Sequence, residues 1–136
     1  MTIPDSQVVI GVDVAKDEVV VYRRDLEKIQ IIVNEGAALK RWLRSLPSNS
    51  AIAIEATNIY HVETVELAYS MGHQVFVVDP GKLSKYRDSL GKRAKTDASD
   101  AALLARYLAH EGAGLRLWSP PPEVYTELKS LLHRRA

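Results

Sequence analysis

Asp13 stands inside an otherwise apolar run, Val8-Val9-Ile10-Gly11-Val12-Asp13-Val14. Taking a carboxylate out of water costs several kcal/mol unless a cation or hydrogen-bond donors compensate it, so a partner elsewhere in the chain is expected. Three further carboxylates are placed to share a site with it. Glu55 ends the short apolar run Ala51-Ile52-Ala53-Ile54, and Asp97 and Asp100 open a long helical pattern. Residues three apart on a helix lie on nearly the same side, with Cβ atoms about 5 to 6 Å apart, so Asp97 and Asp100 can face one cluster. If the strands carrying Asp13 and Glu55 are neighbours and the helix packs across their edge, all four carboxylates converge. They cannot share a pocket ionised without a cation. Oxygen-only ligands at this density suit Mg2+ or Mn2+, and two such ions about 4 Å apart can activate a nucleophile and stabilise a leaving oxygen in phosphoryl transfer.

The segment leading into Asp97, KLSKYRDSLGKRAK, carries Lys82, Lys85, Arg87, Lys92, Arg93 and Lys95 against a single aspartate. Phosphate backbone is the natural ligand for such a surface, with Tyr86 available to stack or pack. Blander readings stand beside these. Asp97 and Asp100 suit the first turn of any helix, Glu55 suits a strand end reaching solvent, and most charge runs are solvated loops. Asp13 is the hardest to dismiss, because its neighbours on both sides are apolar. His61, Glu63, Glu66, His73 and His110 lack paired metal-ligand spacing, and His61 and His73 are expected on a helix surface or at its end. There is no Walker loop and no serine-histidine-aspartate signature.

The elements that must position these groups follow from periodicity. After the first strand, Glu18 to Arg23 and Lys28 to Val33 are β-branched runs joined by a polar turn around Asp25, which predicts an antiparallel hairpin continuing from strand one. Asn34 is the expected N-cap of a helix from Glu35 to Leu46, with Leu39, Trp42, Leu43 and Leu46 on one face. A strand over Ala51 to Ala56, a helix from about Val62 to Met71 closed by Gly72, and a strand over Gln74 to Val78 come next. Pro80 to Lys95 reads as polar and basic, with one short helix near Leu83 to Asp88. A helix from about Thr96 to His110 and a short strand over Leu115 to Trp118 complete residues 1–118. Ser119 and three prolines then form a stiff linker, and residues 119–136 read as that linker and the start of a truncated helix. The apolar stripe Val124, Leu128, Leu131 and Leu132 predicts that the chain self-associates through this last helix or leaves it frayed. An antiparallel meander followed by parallel crossovers predicts an α/β mixed sheet with helices on both faces, the order of a ribonuclease H-like fold.

Composition sets the outer bounds. At 136 residues and 46% hydrophobic, the chain suits one domain with a real core. It has no cysteine, so disulfides, thiolate metal sites and cysteine nucleophiles are excluded. Met-Thr-Ile-Pro-Asp lacks the basic start and apolar core of a signal peptide, and the apolar stretches are of strand length, so a cytoplasmic protein with no membrane partner is expected. A formal charge of +1 argues against a uniformly basic surface, but the cations are concentrated before Asp97.

Taken together, GVDVAKD, IEATNIYH and VVDPGKLSKYRDSLGKRAKTDASDAALLARYLA resemble the N-terminal, RuvC-like domain of the DEDD transposases of the IS110 insertion-sequence family, which includes the pilin-gene invertases. The resemblance runs from Val8 to the final helix, and its third block is the specific one. It implies a tetrad of Asp13, Glu55, Asp97 and Asp100 holding Mg2+ or Mn2+, as two ions, for DNA strand cleavage and exchange. Asp13 would be the central ligand between the ions, Glu55 and Asp100 would flank it, and Asp97 would ligate a metal or orient the attacking group. Lys92, Arg93 and Lys95 would hold phosphate. The resemblance further implies a C-terminal region bearing a catalytic serine, homo-oligomerisation and guidance by a structured RNA. This chain has Asn58 and Ile59 where the family has small residues after Glu-Ala-Thr, which reshapes the approach to Glu55. Two other readings fit parts of the pattern: a catalytically silent nucleic-acid-binding remnant, and the nucleotide-binding half of an actin-like or sugar-kinase fold. The latter is disfavoured because Val14-Ala15-Lys16-Asp17 lacks a phosphate-holding glycine turn.

Overall fold

The computed structural model describes residues 7–56, 59–91 and 100–121. Five strands, β1 (Val9–Val14), β2 (Glu18–Arg23), β3 (Lys28–Val33), β4 (Ala51–Glu55) and β5 (Gln74–Val78), form one sheet in the order β3-β2-β1-β4-β5. The hairpin pairs are antiparallel and the pairs β1–β4 and β4–β5 are parallel. Among the described residues four α-helices accompany them: α1 (Gly36–Arg44), α2 (His61–Ser70), α3 (Pro80–Leu90) and α4 (Asp100–Glu111), the last followed by a 3-10 turn over Gly112–Gly114. This is the ribonuclease H-like α/β architecture expected from the element order.

Side-chain alternation along β1 and β4 divides the core into two layers. Ile10, Val12, Val14, Ile52 and Ile54 face α1 and α2, where they meet Leu39, Trp42, Leu43, Leu46, Val65 and Ala68. Val9, Ala51 and Ala53 face the opposite way, toward Leu103, Leu104, Ala105 and Leu108 of α4 and Leu83 of α3. Strands buried on both faces explain why these runs read as continuous apolar sequence. Gly11 lets α4 lie directly on β1. A Cβ there would stand 2.7 Å from the Ala105 amide nitrogen and closer still to the Ala101 carbonyl oxygen, both backbone atoms of α4.

Several local expectations need correction. Asn34 does not cap α1: Glu35 occupies the N-cap position with no side-chain bond. Asn34 instead donates to the carbonyl of Ala15 at 2.8 Å, while its amide donates to the Asp17 carbonyl at 3.0 Å. The residue therefore ties the end of β3 to the β1–β2 turn, a contact between distant segments that helix-capping rules do not anticipate. The basic segment forms an eleven-residue helix rather than a short one. The Asp79 side chain accepts from the Lys82 amide at 3.2 Å, Pro80 sits in the first turn, and Gly91 at φ 55° ends the helix. His73 follows the end of α2, as one of the two expectations had it, but is buried there, with its Nδ1 accepting from the Ser50 amide at 3.2 Å. Leu115 to Trp118 contributes one antiparallel bridge, Leu117 to Phe76, rather than a full strand. The predicted start of the third long helix before Asp100, and the helix after Pro122, lie outside the described residues.

Candidate functional site

Asp13 and Glu55 come together through strand register. Val12 pairs with Ile54 in the parallel β1–β4 ladder, and one step further brings Asp13 level with Glu55 on adjacent strands. Such strands lie about 4.8 Å apart. Asp13 shares the parity of Val9 and Gly11, and Glu55 that of Ala51 and Ala53, so both carboxylates project toward the α4 side. Because α4 rests on Gly11 through Ala101, its first residue, Asp100, is delivered to the same end of the sheet. Three carboxylates from three elements thus lie toward one end of the sheet, where the parallel strands β1 and β4 end.

Their electrostatics agree with that placement. Burial pushes the Asp13 carboxyl above its usual range, and repulsion from Asp100 pushes it further. Glu55 is raised by burial, then by Asp100 and Asp13, with the Arg87 guanidinium pulling the other way. Arg87, on α3, forms an ion pair with Asp100 Oδ1 through its Nη2. Its position is set by the helix beneath it, since Leu83 is buried and the Tyr86 ring lies 4.9 Å from that of Tyr107 on α4. Lys82 and Lys85 are exposed on the same helix. Asp97, Lys92, Arg93 and Lys95 lie outside the described residues.

The donor set suits a hard divalent cation, since all its members are carboxylate oxygens whose mutual repulsion a cation would relieve. Among the described residues, however, no three acidic or histidine groups are grouped closely enough to hold an ion as they stand. Asp100 is engaged by Arg87 instead. Sequence reasoning placed Arg87 among the phosphate-binding residues and gave no sign of this partner. It also passed over a polar concavity lined by Tyr22, Arg24, Glu27, Ala102, Arg106 and His110. The four-residue spacing of Ala102, Arg106 and His110 on one helical stripe was the signal that could have found it.

A family model for the DEDD transposases of the IS110 type, described as a transposase, matches residues 10–136. The chain belongs to this family. It is also 33% identical over 138 residues to the pilin gene-inverting proteins of Moraxella lacunata and Moraxella bovis. That match takes in 96% of this chain and 42% of each relative, so the chain spans less than half the length of the curated relatives it matches. Members of this family are RuvC-like, which accords with the mixed sheet. No helix among the described residues is long and apolar enough to cross a membrane.

Proposed function

We propose that this chain is the carboxylate-bearing domain of a DNA transposase or site-specific recombinase, breaking and rejoining phosphodiester bonds with divalent cations. The observation that supports this reading is the placement of Asp13, Glu55 and Asp100 toward one end of the sheet, near enough for their charges to repel. With Asp97 added, these are the residues that would hold Mg2+ or Mn2+. Bound ions would supply charge neutralisation at the phosphate and activation of the attacking oxygen. The chain's own residues do the rest. Asp13 and Glu55, fixed by ladder register, hold their oxygens on a rigid edge, and α4 brings Asp100 to them. Lys82 and Lys85, with Lys92, Arg93 and Lys95, hold the flanking backbone by charge. A C-terminal region with a serine nucleophile, a homo-oligomeric assembly and a structured RNA partner belong to the same proposal, supported by the family resemblance.

Metal-dependent thermal stability tests it. A ligand that binds only the folded state at 100 times its Kd adds about 2.7 kcal/mol, so saturating Mg2+ or Mn2+ should raise Tm by several degrees. Asp13→Asn and Asp100→Asn should lose most of that rise. Equal responses in all three proteins would remove the shared site and leave a nucleic-acid-binding module without metal chemistry as the better reading.

A further inference from the structure

We infer that Arg87 is a positioning residue that couples nucleic-acid binding to metal binding, by exchanging its partner between the Asp100 carboxylate and a substrate phosphate. The inference rests on the metal-site reading and goes beyond it, because it assigns to one side chain the order in which the site is filled.

Arg87 is rooted on a helix held in place independently of the ion pair. The Asp79 cap, the buried Leu83 and the Tyr86–Tyr107 ring contact fix α3 against α4. From that root the guanidinium reaches the first residue of α4 and takes one oxygen of Asp100. Both partners are about half exposed, at 47% and 45%, so the pair lies open to solvent and to an incoming strand rather than locked in the core. Exposed ion pairs are weak and easily exchanged.

Two competitions follow. A divalent cation entering the carboxylates meets a guanidinium already bound to one of its ligands, and the two positive charges repel. A phosphodiester competes for Arg87 from the other direction. Its oxygens accept two parallel N–H bonds from a guanidinium as well as a carboxylate does. Lys82 and Lys85 on the same helix add attraction for the backbone. When phosphate takes Arg87, Asp100 is released to the cation. By linkage, each ligand then tightens the other by the same factor. Without substrate, the site stays poorly loaded.

Calorimetric titration of Mn2+ into the chain, with and without a saturating short DNA duplex of mixed sequence, reads this coupling. For the unsubstituted chain, DNA should tighten Mn2+ binding on the order of tenfold, within the usual range of coupling between sites. Arg87→Gln should bind Mn2+ several-fold tighter in the absence of DNA, and the gain on adding DNA should shrink by the same factor. Arg87→Lys keeps the charge but loses the two-pronged contact to phosphate, so it should retain only part of the coupling; a DNA-dependent gain unchanged in both variants would mean a purely structural role for Arg87 and overturn the inference. Circular dichroism melts confirm that each variant folds. Mn2+ affinity in Arg87→Gln equal to or weaker than that of the unsubstituted chain overturns the inference while leaving the metal site standing. No Mn2+ binding by any of the three proteins, with or without DNA, overturns the metal site and this inference together.

Discussion

Asp13 carries its charge at a thermodynamic disadvantage in the folded state. Burial and Asp100 raise its carboxyl above the unfolded value, so between those two values the folded protein binds more protons than the unfolded one. Stability therefore falls as pH rises through that window and stays reduced above it. Glu55 acts in the same direction. Without metal, Asp13→Asn should be more stable than the unsubstituted chain at neutral pH. The difference should vanish on acidification to the ordinary carboxylate range. Melts across that range check it, and a variant less stable than the unsubstituted chain at neutral pH would mean that Asp13 is held by donors rather than strained. A residue that weakens its own fold needs a functional reason to be there. Cation binding would supply one by reversing the sign of the local electrostatics.

At the scale of elements, the contact of α4 on β1 sets the separation of Asp100 from Asp13. Gly11→Ala would drive a methyl group into helix backbone, which no rotamer change relieves. Overpacking of this kind costs about 1 to 3 kcal/mol. Tm should fall by several degrees, and any residual folded protein should bind Mn2+ more weakly because the helix has been pushed from the strand. Unchanged stability and metal affinity would show that the approach is looser than the geometry implies. The α3 cap is a milder lever: Asp79→Ala should cost about 1 kcal/mol, read in a denaturant melt. Much of this scaffold was legible in the sequence. The bounds of β2, β3 and β5 follow their β-branched runs; Asp13 and Glu55 stand out because each breaks or ends an apolar run, and Asp100 through its helical spacing from Asp97. The α3 helix was underestimated because its only fully buried side chain is Leu83, which leaves a faint apolar stripe among many charges. Asn34, His73 and Arg87 escaped for a different reason. Their partners, Ala15, Ser50 and Asp100, are distant in sequence, and no local period reports such pairs.

For the whole molecule, a formal charge of +1 conceals an uneven distribution. Asp13, Glu55 and Asp100 lie toward the ends of β1 and β4, Arg87 of α3 reaches Asp100, and Lys82 and Lys85 are exposed elsewhere on the same helix. Such an arrangement attracts a polyanion while keeping an anionic pocket for its counter-ions. Replacing Lys82 and Lys85 with glutamine should lower the slope of log K against log salt for duplex DNA by about 0.9 for each phosphate no longer neutralised, with the fold intact. An unchanged slope would place the DNA on another surface. The most direct measurement of the central claim locates the ion itself. Sub-stoichiometric Mn2+ added to isotope-labelled protein broadens the amide signals nearest to it. The signals of Val12 to Val14, Glu55, Ala56 and Asp100 to Ala102 should broaden first and together, and far less in Asp13→Asn. Broadening centred instead on exposed acidic residues such as Asp25, Glu27 and Glu35, with those amides spared, would contradict a metal site built from Asp13, Glu55 and Asp100.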